Sequence, residues 1–152
     1  MRKKFSLIFV LIIILLSVSQ TASSENYSIG GRGLVFMGEE PFLFAGPALE
    51  LGLFSHLRLR GTALVGSIEE NSAFKFSGNF LLDFNPGGFN PYLGTGFSYV
   101  LHEDSVTFFE ILAGAELRLN ESLSAYGEGI FFYPLFSIMG ILGGSLGISY
   151  SF

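Results

Sequence analysis

From Phe74 to Phe84 the chain reads FKFSGNFLLDF. Phe74, Phe76, Phe80, Leu82 and Phe84 share one parity; Lys75, Ser77, Asn79 and Asp83 share the other. A period of two is the mark of a β-strand with two unlike faces. Similar segments of about ten residues, separated by turn residues, recur along the chain. They are predicted at about 27–37, 45–54, 57–66 and 73–84, then from the NPGGFNP turn to about Leu101, and at about 107–119, 123–133 and 144–152. Alternation is weakest in the first, where Gly30, Gly31 and Gly33 leave its register open. After residue 25 no stretch sustains a 3.6-residue period, and Gly recurs too often for helices. Eight strands are expected.

The connections fall into two sets. SH, NPGGFN and NES follow strands two, four and six; GEEPFLF, SIEENSA, HEDS and PLFSIMG follow strands one, three, five and seven. All are short enough to join antiparallel neighbours, as in an up-and-down meander. An even strand count returns both termini to one side.

Ahead of the strands, Arg2, Lys3 and Lys4 precede an apolar run from Phe5 to Leu16, followed by small residues in SVSQTASS. That is the plan of a cleaved, helical secretory signal peptide over residues 1–24, since the run is short for a spanning helix. It leaves a single domain at residues 25–152 with five basic and thirteen acidic residues, a net charge of −8. No basic surface for nucleic acid is present. The absence of Cys excludes disulfides, a lipid-modified Cys and thiol metal sites.

Alternation alone does not say which face points inward, because a soluble ligand-carrying barrel is also two-faced. Three features favour lipid outside. Charged residues are only 14 % of the chain, against about 25 % in ordinary soluble proteins. The polar parity is rich in Gly and Ser, and its charges balance: Arg32, Arg58, Arg60, Lys75 and Arg118 against Glu50, Asp83, Glu110, Glu116 and Glu128. A narrow lumen needs such balance, because an unpaired buried charge is costly. No charge falls on the apolar parity, where a lipid-facing Arg or Lys at midplane costs about 2–4 kcal/mol. Aromatics are expected to form two interfacial girdles: Tyr27, Phe54, Phe84, Tyr92, Tyr150 and Phe152 at one rim, and Phe36, Phe74, Tyr99, Phe108, Phe131 and Tyr133 at the other. Eight strands enclose only enough room for side chains, so Gly, Ser and the ten-residue charge network are expected to plug the lumen.

The strand PYLGTGFSY (residues 91–99) resembles the Pro-Tyr-x-Gly-x-Gly strand of small outer-membrane barrels of the OmpA membrane-domain and OmpX kind, and the GISYSF ending resembles their C-terminal signature. The resemblance spans the whole mature chain as architecture more than as residue identity. It implies an all-β, eight-stranded antiparallel transmembrane barrel in the bacterial outer membrane, with periplasmic termini. It also implies recognition of Phe152, Tyr150 and Ile148 by the barrel-assembly machinery. The chain stops at Phe152, so no peptidoglycan-binding module is expected to follow.

No catalytic set, cofactor or metal site is expected. His56 falls in a short turn; His102, with Glu103 and Ser105, falls in a loop where polar residues ordinarily meet water. The acidic pairs Glu39–Glu40, Glu69–Glu70 and Glu103–Asp104 mark one rim as water-exposed. The function expected is structural or interactional, in envelope integrity or surface contact, for a monomer whose partners are outer-membrane lipid and, during biogenesis, the assembly machinery. A narrow ion or small-solute channel is the alternative, and a lipid-modifying barrel enzyme the third reading.

Overall fold

The computed structural model describes residues 27–38, 41–68, 71–136 and 139–152. The signal-peptide segment and the pairs Glu39–Glu40 and Glu69–Glu70 lie outside the described residues. Eight strands follow one another: β1 (Tyr27–Met37), β2 (Phe42–Phe54), β3 (Leu57–Ile68), β4 (Asn71–Asp83), β5 (Phe89–Leu101), β6 (Val106–Arg118), β7 (Leu123–Pro134) and β8 (Ile141–Ser151). Each pairs antiparallel with its neighbour in sequence, and β1 pairs with β8. The sheet is a closed barrel, so no strand edge is left without partners.

Several strands start earlier or end later than alternation predicts. β2 begins at Phe42 and β8 at Ile141, three residues early in each case; β3 continues to Ile68 and β4 starts at Asn71. The residues added to β2 and β8 (FLF and ILG) are apolar or Gly on both parities, and those added to β4 (Asn71 and Ser72) are polar on both, so the pattern that marks a strand fades there. The pairing partner supplies what alternation does not: Phe36 faces Phe42, and Ile141 faces Phe132. The register of β1 is fixed by its two neighbours, with Arg32 opposite Gly46 on β2 and Gly147 on β8.

The turns at the terminus end are held by side chains. Asn120 Oδ1 accepts from the amides of Ser122 (2.9 Å) and Leu123 (2.8 Å), an Asx turn between β6 and β7. Between β4 and β5, Asn85 Nδ2 donates to the Phe89 carbonyl at 3.2 Å. His56 Nδ1 lies 3.0 Å from the Asp83 carbonyl oxygen, tying the Ser55–His56 turn to the end of β4.

Burial alternates along most of each strand, which assigns the faces, with outward-parity Leu51 buried near the end of β2. The outward parity carries no charged residue, and its large side chains are open: Leu49, Phe80, Phe97, Leu146 and Ile148 are each about half exposed or more. Thr95, a polar residue in this wall, donates its hydroxyl to the Glu110 carbonyl at 3.1 Å. The inward parity carries the charges and, unexpectedly, a set of large apolar residues. Three aromatics predicted for the girdles are among them. Phe36, Tyr92 and Phe108 point into the barrel and are 5 %, 1 % and 8 % exposed. Each shares its strand parity with buried polar residues, namely Arg32, Asn90 and Glu110. Phe54, Phe84, Tyr150 and Phe152 at the terminus end, and Phe74, Tyr99, Phe131 and Tyr133 at the other, do lie on the exterior.

Candidate functional site

The interior is built in three levels. At the terminus end the barrel opens into a cavity of about 300 Å³ whose lining includes Ser28, Asp83, Asn90, Glu116 and Arg118, with Arg58 and Glu50 at its inner end. Arg58 draws three carboxylates from three other strands: Glu50 Oε2, Asp83 Oδ1 and Glu116 Oε2, each at 2.7 Å. The Asp83 contact is bidentate, with Arg58 Nε donating to Oδ2 at 2.8 Å. This is the paired-fork geometry that makes guanidinium–carboxylate contacts strong and directional. Asn90 Nδ2 donates to the same Asp83 at 2.7 Å.

At mid-height lies Arg60, fully buried. It is ion-paired to Glu50 on β2 and, through Nη1 at 2.7 Å, to Glu128 on β7 across the barrel. Glu128 also pairs with Arg32 from β1, and accepts from Tyr92 OH at 2.8 Å and Ser145 Oγ at 2.6 Å. The Arg60 guanidinium carbon sits 4.4 Å from the Tyr126 ring centroid and 5.5 Å from that of Tyr92. Two π-faces and two carboxylates thus replace the water lost on burial.

Above it, Lys75 Nζ on β4 meets Glu110 Oε1 on β6 at 2.6 Å, and Asn79 Nδ2 donates to the other carboxylate oxygen at 2.7 Å. Lys75 also lies 5.4 Å from the Phe132 ring centroid, which opens the third level. There Phe36 stands 4.3 Å from Phe132, 5.7 Å from Phe44 and 6.2 Å from Phe108, and Phe108 stands 6.0 Å from Phe132. Phe36 is on β1 and Phe108 on β6, which are not neighbours in the sheet, so these rings meet across the interior. Leu34, Leu64, Ala73, Val100 and Ile130 belong to the same buried cluster, which also takes in Leu81, Tyr92 and Leu112.

Nine of the ten charged residues predicted for the lumen therefore stand in ion pairs, as one seven-residue lattice and one Lys–Glu pair. Arg118 differs: it lines the terminus-end cavity, is exposed, and makes no ion pair among the described residues. Sequence reasoning put Asn79 on the polar parity of β4 but named none of Asn79, Asn90, Tyr92, Tyr126 and Ser145 as polar partners; Asn79 and Tyr126 share the parity of the charges on their own strands, whereas β5 and β8 carry no charge. It also missed the apolar third level.

Small residues make room for this interior. Arg32 lies between Gly46 and Gly147 on the flanking strands. A Cβ at Gly147 would run into the Tyr126 ring, and one at Gly46 into the Ala63 carbonyl.

At the other candidate position, His102 is half-buried while Glu103 and Ser105 are exposed. Glu103 accepts from Asn71 Nδ2 at 3.4 Å, which ties the β5–β6 connection to the start of β4. No His–Ser or His–Glu hydrogen bond or ion pair is present among the described residues. Nor is any group of three or more His, Cys, Asp or Glu side chains placed to hold a metal.

No protein-family model and no curated protein matches the sequence. Solved structures do match its shape. The N-terminal β-barrel domain of Pseudomonas aeruginosa OprF superposes with a TM-score of 0.71 at 18 % identity, over 86 % of this chain and all of that one. Neisserial surface protein A gives 0.64 at 12 % identity, over 86 % and 98 %. A de novo designed transmembrane β-barrel gives 0.58 at 15 % identity, over the same shares. The fold is that of small transmembrane barrels. Identities this low establish architecture, and the chemistry of the interior has to be argued from this chain's own residues.

Proposed function

We propose that this chain is an integral β-barrel of the bacterial outer membrane with a plugged lumen, acting in envelope integrity or surface contact rather than in transport or catalysis. The observation that carries the reading is the filling of the lumen by two unlike layers in series. The ionic lattice around Arg60 and Glu128 occupies mid-height, and the Phe36–Phe44–Phe108–Phe132 cluster lies between it and the loop end. An ion crossing this interior must break cross-barrel ion pairs and then enter a dry aromatic layer, which is the kind of constriction that excludes ions by dewetting.

The membrane assignment rests on the charge-free outward wall and on closure, the two demands that hydrocarbon makes of a spanning sheet. In this reading the termini and the three turns at their end face the periplasm, and the four other connections face outward. Exposed Ile148, Tyr150 and Phe152 form the edge offered to the barrel-assembly machinery, and the mature chain is a monomer in outer-membrane lipid.

The test is electrical. Folded protein inserted in a planar bilayer is expected to give no unitary conductance. Stable conductance steps would overturn the plugged lumen and leave the narrow-channel reading, for which the terminus-end cavity is the supporting feature. Mass spectra of lipid A that change when the gene is deleted would reopen the enzymatic reading.

A further inference from the structure

We propose that the cavity at the terminus end is a binding site for a short, unblocked peptide, held by its two charged ends. Three polar groups in its lining have unused hydrogen-bonding capacity. Arg118 is exposed there and makes no ion pair among the described residues. Glu116 gives Oε2 to Arg58, and its Oε1 receives no donor among the described residues. The Tyr27 hydroxyl, also in the lining, is buried and has no hydrogen-bond partner.

Charge sets the class of ligand and its direction. At mid-height Arg32 and Arg60 balance Glu50 and Glu128. One level nearer the mouth, Arg58 alone answers Asp83 and Glu116, so the inner end of the cavity carries one negative charge in excess. Arg118 places the opposite charge at the rim, where its amide donates to the Gly88 carbonyl at 2.8 Å beside the β4–β5 turn. A simple anion is drawn to the rim and repelled by the inner end; a simple cation meets the reverse. A zwitterion satisfies both, with its ammonium on Glu116 and its carboxylate on the Arg118 fork. Spacing then selects among zwitterions. Glu116 and Arg118 stand two apart on β6, hence on one face and about 6.6 Å apart along the strand. Two extended residues span about 7 Å, whereas a free amino acid carries both charges on one carbon and its neighbour. A peptide also brings a central carbonyl for the Tyr27 hydroxyl. The cavity, about 300 Å³, lies at the lower end of the roughly 300–1,000 Å³ range of small-molecule pockets, which suits a dipeptide. Because Arg58 and Glu50 close the inner end, the site is blind. The inference therefore goes beyond the plugged-lumen reading and leaves the plug intact.

The test is calorimetric titration of dialanine into the folded protein in octyl glucoside, a detergent without charge, with folding established beforehand by unboiled gel mobility. Dialanine is expected to bind saturably. Acetyl-dialanine, which lacks the ammonium, and dialanine amide, which lacks the carboxylate, should each bind about tenfold or more weakly. R118A should weaken dialanine by a similar factor yet bind dialanine amide as the parent does, because only the carboxylate reads Arg118. If folded protein gives no saturable heat with dialanine, the site is refuted and the barrel with its plug stands. If acetyl-dialanine binds as well as dialanine, the cavity is an anion site and the peptide reading falls. If the amide binds as well, or if R118A binds dialanine like the parent, the carboxylate is not held by Arg118 and the proposal is overturned.

Discussion

Arg60 shows how a residue that is costly to bury can organise an interior. It is fully enclosed, yet it bridges Glu50 and Glu128 from strands on different sides and lies against two tyrosine rings. Removing it strands two carboxylates in a narrow space. R60A is therefore expected to lose about 3–5 kcal/mol in urea unfolding from vesicles, the usual cost of breaking a buried pair from one side. Arg118 has the same chemistry in an open cavity and no ion pair among the described residues, so R118A should fall within about 0.5 kcal/mol of the parent. Equal losses would mean that the lattice contributes no more than an exposed charge. Phe132 tests the apolar level in the same way. F132A should cost about 3–5 kcal/mol, which an unpacked or wet interior would not show.

At the scale of the strand, what matters is which face a residue takes and what stands opposite it. Gly78 and Gly96 are near neighbours on β4 and β5, but on opposite faces. A Cβ at Gly96 would meet the Gly78 carbonyl and the Asn79 backbone, which cannot move aside, whereas one at Gly78 meets nothing. G96A is expected to cost about 1–3 kcal/mol or more and to reduce the folded band on an unboiled gel, with G78A unchanged. Phe152 lies just beyond β8, with its ring 5.3 Å from Tyr150 and its amide donating to the Tyr27 carbonyl at 3.2 Å. If it serves assembly more than stability, F152A will lower the level in the outer membrane while refolding into vesicles stays normal. Equal loss in both would make it a girdle residue only.

Strand number, direction and facing were legible in the sequence because a period of two is local and lipid keeps charge off one face. Leu146, Ile148 and Tyr150 could be assigned from their neighbours alone. The interior was legible only as parity. Nothing local to β1, β6 or β7 says that Phe36, Phe108 and Phe132 reach the same level, since that depends on the tilt and stagger of closed strands. An aromatic near a strand end suits a girdle or a lumen equally well, and parity had to decide for Tyr92 and Phe36. The charge list was readable from balance, but its division into a lattice, a separate Lys75–Glu110 pair and an Arg118 at the open cavity was not.

For the whole molecule, the account stands on one inversion: the apolar face looks outward, and the polar residues and aromatic cluster fill the inside. Such a chain has no low-energy folded state in water, because its largest apolar surface would stay exposed. The most direct measurement is refolding of urea-unfolded protein spanning residues 25–152, diluted in parallel into lipid vesicles and into detergent-free buffer and run on gels without boiling. The account predicts a heat-modifiable folded band in vesicles and none in buffer. A compact, soluble, monomeric band in buffer alone would contradict it.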